Sequence, residues 1–254
     1  VYHAPRLYPQ NYKKYFGFMK AFFMEHPEYK IIHSHIDAMS YFPLQAAKNS
    51  GVPVRIAHSH SSKFDRDIKL PIKFIAQKNI TKVATINCAC GEVAGRFMFH
   101  ERPFKIVRNA VDIEKFKYDS IIRERKRKEL GIENKFIVGH VGRYCYIKNQ
   151  MFLIDVFNCV IKFKPNAHLL LVGKGENQKK IEEKIEKLGL KNKVTLLIDR
   201  SDVAELYQAM DIFVMPSLFE GLPVVGIEAQ ASGMPCLVSN RICLLYTSPS
   251  PRDR

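Results

Sequence analysis

Apolar residues along this chain alternate between two spacings. Short apolar runs, the mark of buried strands, occur at 30–35 (KIIHSH), 54–57 (VRIA), 83–88 (VATINC), 105–107 (KIV), 136–141 (FIVGHV), 168–172 (HLLLV), 193–198 (KVTLLI), 212–215 (IFVM) and 236–238 (CLV). Between them lie stretches of helical character at 11–26, around 45–48, at 68–80, after 88, and at 119–130, 149–163, 176–188 and 202–209. Gly51, Gly131 and Gly189 stand just past three of these stretches, where a left-handed residue commonly stops a helix. Ile181, Ile185 and Leu188 give the helix at 176–188 an apolar stripe. Strands alternating with helices predict parallel βαβ units rather than antiparallel hairpins. The expected fold class is α/β, with doubly wound sheets whose ligands sit beyond the carboxyl ends of the strands.

Two of the helical stretches are open to a second interpretation. In 11–26, Tyr12, Tyr15, Phe16, Met19, Phe22 and Phe23 alternate with Lys13, Lys14 and Lys20. That is an amphipathic helix packed on a sheet, or an aromatic and basic helix at a membrane interface. The stretch 119–130 carries Arg123, Arg125, Lys126, Arg127 and Lys128, interspersed with Glu124 and Glu129. Mixed signs favour a solvated face, and the absence of interleaved aromatics argues against single-stranded nucleic acid.

Composition narrows the class without choosing a function. With 254 residues and 46% hydrophobic content, the chain suits one large or two modest soluble domains. No apolar run approaches the ~18 residues of a membrane span, and VYHAPRLYPQ is not a signal peptide. The missing initiator Met suggests a start inside a longer protein, and RICLLYTSPSPRDR (241–254) breaks the alternation, as a truncation or a non-native tail would. The six cysteines, at 88, 90, 145, 159, 236 and 243, lack disulfide or zinc-finger spacing and are expected to be reduced cytosolic thiols. The net charge of +15, of which +9 falls within 1–112, favours an anionic partner such as a phosphate, a nucleic acid or an anionic membrane surface.

The candidate chemistry clusters at strand ends. In FVMPSLFEGLPVVGIEAQASGMPCLVSN (213–240), a strand ends at Pro216, and a helix is expected to open near Leu222 and Pro223. The free amides of its first turn make an anion seat. Glu228 lies eight residues after Glu220, about 12 Å along an ideal helix, so the two carboxylates are expected to flank a ligand. Gly142 and Arg143 follow the strand 136–141, and Lys148 stands five residues further on. An Arg and a Lys at one strand end can neutralise a diphosphate without metal. Gly173 and Gly175 follow the strand 168–172, and Arg200, Ser201, Asp202 and Val203 follow 193–198. Asp202, with Glu205 three residues on, has the form of a helix N-cap with a capping box. His33, His35, His58 and His60 all sit at strand ends in the first half. A metal cluster of these with Cys88 and Cys90 is not expected, because no second ligand pair has zinc spacing. Asp65-Arg66-Asp67 has the D-x-D form of a divalent-metal motif, but it stands in a polar loop rather than after a strand.

These motifs together resemble a family. E-G-L-P-x-x-x-x-E followed by A-x-G-x-P-C-x-V-S, G-x-V-G-R-x-x-x-x-K at 139–148, and L-V-G-x-G at 171–175 are similar to the signatures of retaining glycosyltransferases of carbohydrate-active family four, which have the GT-B fold. The likeness is to the bacterial capsule and exopolysaccharide branch and covers roughly 29–240. NAVDIEKF (109–116) resembles the family's interdomain linker, with Arg108 and Ala110 in place of Pro and Gly. Ile147 and Gln150 depart from the Gln and His that family members often carry beside the lysine.

The resemblance implies two Rossmann-like domains facing a cleft, incomplete at both ends: a partial acceptor-side domain over 1–112 and a partial nucleotide-sugar domain over 113–240. It implies a metal-independent hexosyltransferase, without cofactor, moving a sugar from a nucleotide-diphosphate sugar, expected to be a UDP sugar. The acceptor would be a polysaccharide or a lipid-linked saccharide, and the location cytoplasmic or peripheral on the inner face of the membrane. Glu220 would face the reacting centre and Glu228 the ribose, with His58 on the donor sugar; His60 is the weaker candidate for that contact. Gly142, Arg143, Lys148, Gly173, Gly221, Leu222, Pro223 and Val224 would line the diphosphate and sugar. The 200–203 loop, with Arg200 and Val203, would meet the base. A sugar-nucleotide epimerase of similar fold, a catalytically inactive sugar-nucleotide binder and a basic nucleic-acid binder are the alternatives.

Overall fold

The computed structural model describes residues 1–64 and 68–242. The Asp65-Arg66-Asp67 triplet and positions 243–254 of the C-terminal segment lie outside the described residues. The chain divides into two compact units, Val1–Arg108 and a second that begins at Asn109. No described helix is long and apolar enough to cross a membrane, and the five described cysteines are free thiols.

The first unit is a sheet of four parallel strands lying side by side in chain order: β1 (Ile31–Ser34), β2 (Val54–Ser59), β3 (Ile86–Ala89) and β4 (Lys105–Ile106). Helix α1 (Tyr12–Glu25) precedes β1, and α2 (Tyr41–Asn49), α3 (Leu70–Val83) and α4 (Glu92–Phe99) make the crossovers. Helix α3 runs to Val83, so the third strand starts three residues later than the apolar run suggested. Val83 is almost fully buried there, and helix packing accounts for the apolar residue that looked like strand. In α1, Tyr15, Met19 and Phe23 recur every fourth residue and are buried. The Tyr12 and Phe16 rings lie 5.1 and 6.4 Å from that of Phe42 on α2. Those aromatics pack on the protein itself, as an amphipathic helix on a core would.

The second unit holds five parallel strands: β5 (Phe136–Val141), β6 (Ala167–Val172), β7 (Val194–Leu197), β8 (Ile212–Met215) and β9 (Cys236–Val238). Their order, β7-β6-β5-β8-β9, is the doubly wound arrangement, with its switch point between β5 and β8. All six residues of β6 are buried, as expected of a central parallel strand covered on both faces. Helices α5 (Ile113–Phe116), α6 (Ser120–Leu130), α7 (Gln150–Phe163), α8 (Gln178–Lys187), α9 (Val203–Ala209) and α10 (Val224–Ala231) complete the unit. Ile181 and Ile185 of α8 join Leu153, Phe157, Leu169 and Leu171 in the core.

Helix α6 corrects an expectation. Its ends are as anticipated: the Asp119 carboxylate accepts from Ile121 N and Ile122 N, and Gly131 closes the helix at φ 64°. Its charged run, however, is a solvated face only in part: Glu124, Arg125, Lys128 and Glu129 are exposed, whereas Arg123, Lys126 and Arg127 turn inward to partners. The Lys126 side chain is only 5% exposed, while the apolar Ile121 points to solvent. Lys126 Nζ reaches Glu129, Asp202 and Glu205 at 2.7, 2.8 and 2.9 Å. Burial lowers its pKa, but the hydrogen bonds it donates to the three carboxylates outweigh burial and hold it above the usual lysine value. Arg123 donates to Gln208 O and Met210 O, and Arg127 Nε donates to Ala209 O. These are the orphan carbonyls at the end of α9, and cations are favoured there. Both guanidiniums also grip Asp211, at 2.5 and 2.6 Å, and Ile137 N donates to the same carboxylate at 2.7 Å. Charge periodicity cannot distinguish a solvated helix from one whose charges meet partners far along the chain.

One prediction follows from this knot. Asp211→Ala strands two half-buried guanidiniums and the N–H that opens β5. It is expected to lower unfolding stability by about 2–3 kcal/mol, below the full figure for a buried pair because Asp211 is partly solvated. A urea titration showing under ~0.5 kcal/mol of loss would show that the knot is not a stabilising element.

Candidate functional site

The donor-site candidates of the second half lie at or just past the carboxyl end of a strand in the second sheet, or on α10 and the turn before it. The two glycine loops approach each other there. Gly142 N donates to Val172 O, and Gly173 N to Leu197 O. Gly173 has φ +150°, and a Cβ on it would lie 2.1 Å from Gly142 O. Only a glycine permits both that conformation and that approach. A Cβ on Gly175 would lie 2.3 Å from Tyr144 O, so the second glycine is needed for packing against the same loop.

That packing fixes the loop from Gly142 to Asn149. Asn149 takes a left-handed conformation (φ 57°) and donates through Nδ2 to Pro216 O, while Leu218 N donates to Ile147 O. The loop after β5 is thereby tied to the loop after β8. Across the join, Lys148 Nζ meets Glu220 Oε1 at 2.5 Å, with both side chains under one-fifth exposed. A Cβ on Gly142 would contact the Lys148 side chain at 3.6 Å, so Gly142, Lys148 and Glu220 form one cluster. Arg143 takes a different partner, Glu176 at 2.9 Å, and both of those side chains are well exposed.

Under this loop lies His140, fully buried. Its Nδ1 is 2.8 Å from Val214 O and its Nε2 is 3.1 Å from the Gln150 amide nitrogen. Burial drives its pKa down to about 4; the Val214 carbonyl opposes this and the Lys148 charge reinforces it. A neutral ring therefore donates from Nδ1 and accepts at Nε2. Gln150 Nε2 also donates to Arg143 O, so the residue that departs from the family pattern pins the arginine's backbone.

The helix after β8 corrects the expected geometry of the two glutamates. Helix α10 begins at Val224, with Pro223 at the cap position (φ −69°, ψ 123°). Glu220 is in the preceding turn, not on the helix, so a helical rise does not set its distance to Glu228. Gly221, Leu222 and Pro223 are buried, and Val224 is exposed at the helix start. Asn109 Nδ2 donates to Leu222 O at 2.6 Å, so the linker-like segment holds the turn that delivers the helix amides. Glu228, in the second turn, accepts a hydrogen bond from the Tyr207 hydroxyl at 3.0 Å. Burial first, and the Glu228 charge second, raise the Tyr207 pKa well above its usual value. Sequence reasoning missed Tyr207, His140 and the Asn109 contact. Tyr207 is legible only as one more apolar position of a short helix.

The loop after β7 differs from its expected form as well. Asp202 makes no side-chain cap for α9. Its carboxylate receives both Arg200 Nε (2.7 Å) and Nη2 (2.5 Å), with Lys126 Nζ at 2.8 Å. Arg200 first, then Lys126, hold its pKa far below the carboxylate range in spite of burial. Glu205 is likewise taken by Arg125 and Lys126 rather than by a capping box. The nearby cations outbid the backbone amides. Arg200 is thus committed to Asp202 and Glu129, and Val203 is the first residue of α9.

In the first unit, His58 is 3% exposed at the end of β2. Its ring lies between those of His33, His35 and His60, with centroids 5.2, 4.9 and 4.3 Å away. Burial, followed by the three neighbouring rings, brings its pKa down to about 4. Cys88 pairs with His58 across β2 and β3 and is buried, yet the side chains grouped closely enough to share an ion are the histidines alone among the described residues.

Comparison with known proteins agrees with this picture. Residues 122–245 match the family described as glycosyl transferases group 1. The protein named EpsF of Bacillus subtilis (strain 168) is 34% identical over 227 residues, covering 86% of this chain and 59% of its own length. The UDP-Gal:alpha-D-GlcNAc-diphosphoundecaprenol alpha-1,3-galactosyltransferase of Escherichia coli is 30% identical over 226 residues, covering 84% of this chain and 58% of its own length. The chain thus spans less than three-fifths of either relative. The crystal structure of Anabaena HepE in complex with UDP and glucose superposes with a TM-score of 0.80 at 22% identity, covering 94% of this chain and 67% of that one. That likeness establishes the fold as GT-B.

Proposed function

Because the chain belongs to the glycosyl transferases group 1 family, we propose that it takes part in moving a sugar from a nucleotide-diphosphate sugar, a UDP sugar, to a lipid-linked or polysaccharide acceptor. The observation that carries this reading is the Lys148–Glu220 pair, set between two glycine loops and the open first turn of α10. A cation and the amides of a helix's first turn at one place suit a diphosphate. The UDP in the HepE complex and the diphosphoundecaprenol-linked acceptor in the galactosyltransferase's name support the choice of donor and acceptor.

In this reading Lys148 leaves Glu220 for the diphosphate, with Arg143 turning in from Glu176. Glu220 then faces the sugar, and Glu228 accepts from the ribose hydroxyls. The C1–O bond to the leaving phosphate breaks, and the acceptor oxygen bonds to C1 on the same face. The acceptor proton passes to the departing phosphate, so configuration is retained. Positioning and charge stabilisation supply most of the rate.

The test is thermal stability with UDP, GDP and ADP, followed by transfer from a labelled UDP sugar to a polyprenyl-diphosphate saccharide. Ligand at 100 times Kd stabilises by about 2.7 kcal/mol, which is about 5–10 °C for a protein of this size. If no nucleotide shifts the melting temperature, the site assignment fails. Binding without transfer would make the protein a sugar-nucleotide sensor.

A further inference from the structure

The first unit carries a cluster of chemistry that the proposed transfer does not require. β1 and β2 run parallel, with Ser34 opposite Ala57, so His35, one residue past that ladder, stands opposite His58. Side chains two apart on a strand share a face. His33 and His35 from one strand and His58 and His60 from the next therefore form a two-by-two patch of imidazoles. The rings touch in pairs: His33 Nε2 is 3.1 Å from His58 Nδ1, and His35 Nδ1 is 2.9 Å from His60 Nε2. One ring nitrogen from each of His33, His35 and His58 lies within 4.8 Å of the other two.

We propose that this patch is a binding site for a borderline divalent cation of the first transition row, of the Zn²⁺ or Co²⁺ type, with His33, His35 and His58 as its ligands. Nitrogen atoms bound to one zinc lie about 2.0–2.1 Å from it, and so about 3.3 Å from one another in a tetrahedral site. The His33–His58 separation is already close to that edge, and the trio closes by small turns of rings. His33 and His35 are exposed, so those turns are free and the cation has an entry path. His58 is fixed by burial and supplies the rigid corner. Each neutral imidazole has one N–H and one lone pair, so binding needs a change of tautomer and no net loss of a proton. The end of β2 is held by Asp37, whose Oδ1 accepts from His60 N at 2.7 Å and from Ser61 N at 3.1 Å. An all-imidazole set excludes Mg²⁺ and Ca²⁺, which want oxygen ligands, and suits zinc, cobalt, nickel or copper.

The site is independent of the transferase reading, because its readout is metal binding alone. Chelator-treated protein is titrated with Co²⁺, followed by visible absorption and by equilibrium dialysis, and then with Zn²⁺ in competition. One equivalent of Co²⁺ with ligand-field bands, displaced by one of Zn²⁺, is expected. His33→Ala and His35→Ala change exposed positions, and circular dichroism reports whether each variant keeps its fold. Each is expected to weaken binding at least about tenfold, whereas Cys159→Ser, which removes the exposed thiol, leaves it unchanged. The proposal is overturned if no Co²⁺ binds, if both histidine variants bind as the parent does, or if binding depends on Cys159.

Discussion

Lys148→Ala is expected to lower kcat/KM for sugar transfer by about 10²–10³-fold, the range seen when one stabilising donor is removed from a developing anion, while the melting temperature stays close to the parent's. Two effects act in the same direction. The diphosphate loses a cation at the end of β5, and the Glu220 charge, no longer offset by Lys148 at 2.5 Å, faces an anionic donor. The second effect has its own signature. In the Lys148→Ala/Glu220→Gln double variant, the penalty for donor binding should be smaller than the sum of the single losses, since groups in direct contact are not additive. Steady-state kinetics with a UDP sugar over a range of donor concentrations separate the two. The half-buried pair leaves the core untouched, so circular dichroism is expected to be unchanged. Full turnover in the single variant would remove Lys148 from the diphosphate.

Gly173→Ala should have the largest effect on the fold itself. At φ +150° an alanine is strained, and its Cβ would lie 2.1 Å from a backbone oxygen that cannot swing away. Strain and overpacking together are expected to remove about 3 kcal/mol or more. Because the clashing atom is Gly142 O, relief must push the loop carrying Lys148, so nucleotide affinity should fall along with stability. Gly131→Ala is the control. Gly131 also has positive φ, but a Cβ there meets nothing within 4 Å, so only the left-handed penalty of about 1 kcal/mol applies. Chemical denaturation of both variants decides the matter. Equal losses would mean that conformation alone, and not the approach of the two loops, is what Gly173 provides.

The local rules were legible from the chain. Apolar runs of strand length alternating with helical stretches dictate a parallel α/β fold, because each such strand needs cover on both faces. Among the described residues a strand stands at each of the nine runs, the third starting three residues late because α3 runs on to Val83. Gly51, Gly131 and Gly189 at helix ends and Gly173 after β6 were recognisable from spacing, since few residues tolerate their positive φ.

Tertiary structure alone decided which charges meet. Lys126 and Arg127 look solvated in the sequence, yet Lys126 is buried and Arg127 partly so because Asp202, Glu205 and Asp211, some 75 to 85 positions away, fold against them. Asp202 was a cap by pattern and became an ion-pair partner, because guanidinium and ammonium groups compete more strongly than amides for a carboxylate. Tyr207 gained its contact with Glu228 only when α9 packed beside α10, and the four histidines became one patch only through the register of β1 with β2. Periodicity is set by neighbours three or four residues apart, whereas electrostatics depends on distance in space.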